Sequence, residues 1–246
     1  MNTLEVEILV DAPLLARRAA EYFVQWSGEA IRTGGRFTVA LAGGSTPRQM
    51  YGLLAGPSFS SRVDWEHVHF FWGDERCVPP EHSDSNYRMA WEALLSGIYI
   101  PDANIHRIQA ELPAEEAALA YERELRQFFG DEIPCFDLIL LGLGPDGHTA
   151  SLFPGSPALR ETSRWVVPVS HAAPPPPLVS RVTLTPPVLN AAAKVVFLVS
   201  GAGKAGRLVQ VLRGPLQPER LPAQTVQPVT GRLLWLVDQA AAARLS

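Results

Sequence analysis

The chain has 246 residues, 47% hydrophobic and 19% charged, which is length and apolar content enough for a sizeable core in one α/β domain spanning 1–246. A net charge of −4 and a pI near 5.9 exclude the broad basic face of a general nucleic-acid binder, and an acidic chain that takes an anion must gather its few cations at one place. Two cysteines, Cys77 and Cys135, provide no disulfide framework.

In chain order, MNTLEVEILVDAPLL opens with acidic residues where a secretory leader needs an unbroken apolar region. No apolar run approaches the length of a membrane span, so a cytoplasmic protein without membrane association is expected. EVEILV (5–10) reads as a strand, LLARRAAEYFVQWSGEAI (14–31) as a helix, FTVALAG (37–43) as a strand and TPRQMYGLLA (46–55) as a helix. VHFFWG (68–73) is the next strand, followed by helices over SNYRMAWEALL (85–95) and AEEAALAYERELRQFF (114–129). FDLILLGLG (136–144), WVVPV (165–169), RVTLT (181–185) and VVFLVSG (195–201) read as strands, GKAGRLVQVLR (203–213) as a helix and LLWLVD (233–238) as the closing strand. Several strands are apolar on both faces, and strand alternates with helix. The expectation is a doubly wound, mostly parallel sheet with helices on both faces. Proline supplies the punctuation: PPPP at 174–177 must be a loop, and SLFPGSPALRETS (151–163) is too broken for a helix.

Ligands of such sheets bind beyond the carboxyl ends of the strands, so the loops there carry the functional information. In LILLGLGPDGHTASLFPG (139–156), Gly142, Gly144 and Gly147 formally satisfy G-x-G-x-x-G. A dinucleotide turn also needs a helix opening at once and an acidic residue about 20 positions on. Pro154 and Pro157 break that helix, and position 167 is a valine. That leaves His148, two residues after Asp146, in a glycine-supported turn: either a catalytic imidazole or a capping histidine of the loop.

In ALAGGSTPRQMYGLL (40–54) the pair Gly43-Gly44 precedes Ser45, Thr46 and Pro47 at a helix start. Ser45 or Thr46 is a natural N-cap, and the same exposed N–H groups suit a phosphate. No G-x-S-x-G elbow is present. In FFWGDERCVPPEHSDSNYRMAW (70–91), Asp74, Glu75 and Arg76 follow a buried strand directly. They form an internal ion pair, with Ser83 or Asp84 capping the next helix, or Arg76 offers its planar fork to an anion. LVSGAGKAGRL (198–208) is not a Walker A loop, since Leu198 and Ala205 stand where glycine and Ser/Thr are required, yet Lys204 suits an anion as a point charge. Arg181, after the proline loop, adds a second cation or is an ordinary strand-end arginine. No Cys/His cluster has zinc spacing, although His67 and His69 share a strand face, so no metal is expected. Cys77 has no marked partner base and reads as inert.

In this order, LAGGSTP, WGDERCVP with SDSNYRMA, LILLGLGPDGHTASLFPG, RVTLT, SGAGKA and the closing LPAQTVQP…LLWLVDQAAA resemble the 6-phosphogluconolactonases, over roughly residues 5–243. The resemblance implies hydrolysis of 6-phospho-D-glucono-1,5-lactone in the oxidative pentose phosphate pathway, with no cofactor and a fold shared with sugar-phosphate isomerases and deaminases. It implies His148 as the base with Asp146 beside it, and Gly44, Ser45, Thr46, Asp74, Arg76, Arg181 and Lys204 as substrate-lining residues. The expected partner is the small-molecule lactone, with no nucleic acid. A glucosamine-6-phosphate deaminase also carries a D-G-H turn, but it follows that turn with a glutamate that TASLFPG does not supply. A sugar-phosphate-sensing regulator needs a DNA-binding extension, for which no room is expected before the strand at residue 5.

Overall fold

Strands whose side chains are apolar on both faces can only be satisfied by cover on both faces, and the computed structural model, which describes residues 4–245, has that layout. The elements are β1 (Glu5–Leu9), α1 (Ala12–Gly34), β2 (Phe37–Leu41), α2 (Ser45–Ala55), β3 (Val68–Trp72), β4 (Asp74–Arg76), α3 (Asn86–Ala93) and α4 (Ala114–Phe129). They continue with β5 (Leu138–Leu141), β6 (Val166–Val169), β7 (Arg181–Leu184), α5 (Pro186–Ala191), β8 (Lys194–Val199), α6 (Ala205–Arg213), β9 (Arg232–Asp238) and α7 (Gln239–Ala242).

Six strands form one sheet in the order β1-β9-β8-β5-β2-β3, and every pairing in it is parallel. β2 and β5 are buried at every position, as their unbroken apolar sequences require. Phe197 of β8 lies opposite Trp235 of β9, and their rings stack at 3.8 Å. Asp137, just before β5, accepts hydrogen bonds from the backbone N–H and hydroxyl of Thr38, which ties the starts of β2 and β5.

A second, antiparallel sheet has the order β4-β7-β6. Its β6 and β7 correspond to the expected runs 165–169 and 181–185. β4 was not foreseen as a strand, because Asp74-Glu75-Arg76 has no apolar period and takes strand form only by pairing with β7. Gly73 joins the sheets: its N–H donates to Leu41 O at the end of β2, and its carbonyl accepts from Leu184 N of β7, each at 2.9 Å. The short α5 and α7 were likewise outside the sequence reading.

Two caps differ from expectation. α2 is capped by Gly44 at φ 107°, a backbone geometry suited to glycine, so Ser45 is already the first helical residue. α3 is capped by Ser85, whose hydroxyl accepts from Arg88 N, rather than by Ser83 or Asp84. The Glu75 carboxylate also accepts from Asn86 N and Tyr87 N, both at 2.7 Å, at the positive end of that helix. Burial pushes this carboxyl up to about 7 against the pull of those N–H groups.

Away from the strand ends, His69 of β3 meets His106 (Nδ1 to Nε2, 3.2 Å), which in turn meets Glu124 of α4 at 2.9 Å, beside Phe71 and Phe128. Burial, then the positive charges of His106, Arg36 and His67, hold the His69 imidazole down to about 4, against 6.5 for a free histidine. The unfolded chain therefore takes up this proton first. The favourable contribution is complete above about pH 6.5 and is lost as the pH falls towards 4. Stability measured by urea denaturation should decline across that window, and His69→Gln should flatten the decline. An unchanged pH slope in the variant would contradict this account.

Candidate active site

The carboxyl ends of β2, β5 and β8 and the edge of the small sheet enclose an open cleft of about 280 Å³. Gly43, Gly44, Ser45 and Thr46 line it from the start of α2, Asp74 and Arg76 from β4, and Arg181 from β7. Gly142, Gly144 and His148 line it from the turn after β5, and Ser200 and Lys204 from the loop after β8. The structure thus brings together every sequence-predicted residue except Asp146, which stands behind His148 rather than on the wall.

The His148 turn is built by its glycines. Gly147 N donates to Gly144 O (3.1 Å), Gly144 N donates to His148 O (2.8 Å), and Gly147 has φ 92°. A Cβ on Gly144 would fall 2.1 Å from His148 Nδ1, so the imidazole occupies the space that a side chain there would fill. From outside, Arg207 of α6 donates to Pro145 O, and Ala223 N donates to Gly147 O, which pins the turn to the 221–225 segment. The His148 ring comes to rest with Nδ1 2.5 Å from Asp146 Oδ1, and the same oxygen accepts from His148 N at 3.1 Å. In the neutral imidazole, this contact places the proton on Nδ1 and leaves Nε2 as the acceptor. Burial alone would raise the Asp146 carboxyl, but the hydrogen bonds and charge of His148 outweigh it and hold the group below its ordinary value.

The next residues stabilise the loop in a strained form. Ala150, at φ 47°, occupies the left-handed region that a non-glycine residue enters at a cost of about 1–2 kcal/mol. This lets its neighbours turn opposite ways: Thr149 donates to Gly142 O (2.9 Å), while Ser151 donates to Asp74 Oδ2 (2.6 Å) and takes the Thr183 hydroxyl on its N–H (3.2 Å). Asp74 is 7% exposed, and its other oxygen accepts from Asn86 at 3.3 Å, so it braces the cleft floor as well as lining it. Gly43 must lack a side chain because its Cβ would lie 2.0 Å from Asn86 Oδ1.

The small sheet aims charge at the cleft. Period-2 alternation puts Asp74 and Arg76 on one face of β4 and Glu75 on the other. Arg76 pairs directly with Arg181 across the ladder, an arrangement of like charges that is unfavourable by itself. Arg76 Nη1 donates to Asp84 O and Arg181 Nη2 to Pro177 O (2.9 Å), while both Nε atoms are buried with no hydrogen-bond partner among the described residues. Burial lowers the Arg181 pKa, Asp74 opposes this, and the Arg76 charge adds to it. Lys204 is lowered by burial and drawn back up by Asp146. Three crowded cations with donors to spare suit a multiply charged anion. Among the described residues, Arg76 forms no ion pair with Asp74 or Glu75, so the internal-pair alternative does not hold. Cys77, beside it, is pushed up to about 11 by burial and the Glu75 charge, which makes it a poor nucleophile.

Sequence reasoning missed Asn86, Ser151 and Asp238. Asp238, at the end of β9, accepts from Ser200 Oγ (2.5 Å), Gly201 N and Ala241 N, so it holds the Lys204 loop and caps α7 together. Asp238 carried one signal, a polar residue directly after the apolar run LLWLV, which is too common to single out; Asn86, after Ser83-Asp84-Ser85, and Ser151, in HTAS, carried none. Pro175 and Pro176 also line the cleft, so the proline loop is part of its wall.

An imidazole–carboxylate pair beside a cation-lined cleft at a parallel sheet's carboxyl edge suits an acid–base enzyme of the α/β class. A sequence model of the glucosamine-6-phosphate isomerases/6-phosphogluconolactonase family matches residues 10–235, and the chain belongs to this family. It is 43% identical to a 6-phosphogluconolactonase of Synechocystis sp. over 98% of both chains. It is 46% identical to the Rattus norvegicus 6-phosphogluconolactonase, over 96% of this chain and 88% of the relative. The solved structure of the Trypanosoma brucei 6-phosphogluconolactonase superposes with a TM-score of 0.89 at 30% identity, covering 100% of each chain.

Gly144→Ala should push the imidazole off Asp146 without unfolding the chain. The expected cost is about 1–3 kcal/mol, the range for a lost charge-assisted hydrogen bond. The Nδ1 proton of His148 in an NMR spectrum should lose its downfield, hydrogen-bonded position. Retention of that signal would show that the turn yields and the glycine is dispensable.

Proposed function

We propose that the chain hydrolyses 6-phospho-D-glucono-1,5-lactone to 6-phospho-D-gluconate, as a cytoplasmic enzyme of the oxidative pentose phosphate pathway acting as a single 1–246 domain. The observation that carries this reading is the Asp146–His148 pair set in a cleft ringed by Arg76, Arg181 and Lys204. Among the described residues, no helix is long and apolar enough to cross a membrane.

A lactone carbonyl is already electrophilic, so the reaction asks for an activated water and stabilisation of charge. His148 Nε2 takes a proton from water as its oxygen attacks C1. Asp146 keeps the ring oriented and offsets the positive charge that it gains. The N–H groups of the Gly43–Ser45 turn, which lines the cleft, suit the oxyanion that develops. As the intermediate collapses, the bond from C1 to the ring oxygen breaks, and the imidazolium returns its proton to that oxygen. Substrate and product are anionic through the phosphate, and the product gains a carboxylate, so three cations match two anionic groups. Holding the phosphate away from C1 contributes orientation. A deaminase reading would need a carboxylate after the turn, and residues 149–155 contain none.

The test is to follow fresh lactone by coupling its product to 6-phosphogluconate dehydrogenase, in chelator, with spontaneous hydrolysis subtracted. Wild-type protein should accelerate hydrolysis, and His148→Ala should lose about 10²–10⁴-fold in kcat, the usual share of a general base. The same variant should bind 6-phosphogluconate as the wild type does. Full activity in His148→Ala would reject the base, and no acceleration by the wild type would reject the activity.

A further inference from the structure

The proline segment 174–177 carries no regular structure, yet it is fastened at two points. His171, 8% exposed, has Nε2 2.6 Å from Pro175 O, and since a carbonyl only accepts, His171 donates there. Arg181 Nη2 donates to Pro177 O at 2.9 Å. Between these fastenings Pro175 and Pro176 form part of the cleft wall. The His171 ring also lies flat on Phe153, with centroids 3.9 Å apart and planes 11° apart, and Phe153 in turn approaches the His148 ring, tilted, at 4.6 Å. Three aromatic rings thus run in file from the proposed base to the proline segment.

We propose that His171 is a positioning residue: its Nε2–H holds the 174–177 strap against the cleft and so keeps Arg181 aimed at the anionic substrate, setting affinity rather than the chemical step. The inference rests on the lactonase reading for its kinetic consequences. One arm of Arg181 is committed to the strap while its buried Nε is free, so releasing the strap frees the guanidinium to turn away or to spend Nε elsewhere. His148, by contrast, is oriented by Asp146 and by the turn at Gly144.

Two variants separate the donor from the ring. His171→Phe keeps an aromatic ring over Phe153 and removes the donor; His171→Gln keeps an N–H at comparable reach and removes the ring. His171→Phe should raise KM for the lactone about 5–10-fold, the effect of losing one hydrogen bond of ordinary net strength, with kcat within about twofold. His171→Gln should restore a KM near that of the wild type. Independently of turnover, thermolysin should cut next to exposed Leu178 faster in His171→Phe than in wild type or His171→Gln. Wild-type KM and wild-type cleavage in His171→Phe would overturn the proposal, as would equal effects of the two variants. Faster cleavage of His171→Phe in a protein whose wild type lacks lactonase activity would uphold the tether and reject the proposed substrate instead.

Discussion

The site depends on one missing carbon. Because Gly144 has no Cβ, the chain between Gly142 and His148 can fold back so that the imidazole lies over its own turn and reaches Asp146 two residues upstream. The imidazole and the carboxylate that orients it therefore come from a single loop. Their relative geometry is fixed by local backbone hydrogen bonds, and α6 and the 221–225 segment clamp the loop from outside. The left-handed Ala150 fits the same logic, as strain confined to a short turn and held by Thr149 and Ser151 on either side.

The cations are organised on a different principle. They come from elements far apart in sequence, and two of them stand opposite each other on neighbouring strands. Such a pair weakens the free protein, and an anion bound between the guanidinium groups would relieve it and add to the stability of the loaded protein. The surrounding carboxylates offset only part of this charge, Asp74 acting on Arg181 and Asp146 on Lys204. Asp74 is bound up with Ser151 and Asn86, Glu75 faces α3, and Asp146 is engaged by His148.

How legible this was in the sequence depended on whether the information was local. The parallel strands announced themselves as apolar runs, and the glycine turns as breaks after them. All eight expected strands are present, and the loops at their ends held the residues that line the cleft or, as with Asp146, stand just behind it. β4 was invisible because its strand character comes from β7, more than a hundred residues away. The caps at Gly44 and Ser85 were each displaced from the expected residue, since backbone geometry and the Glu75 carboxylate decide there and neither is a local propensity. The proline segment was read correctly as a loop, but its place on the cleft wall is set by His171 and Arg181 and could not be read from PPPP.

Gly73 couples the two sheets through one residue, with its N–H in one ladder and its carbonyl in the other. A residue gained or lost just after it would shift β4 by one position against β7. Alternation would then swing Glu75 towards the cleft and turn Asp74 and Arg76 towards α3. The helix would lose its capping carboxylate and the cleft an arginine in the same event. Surface loops away from the cleft can change length without reaching the site, whereas the run from Trp72 to Arg76 behaves like a spacer of set length, in which a frame-preserving insertion would be as damaging as the loss of a catalytic side chain.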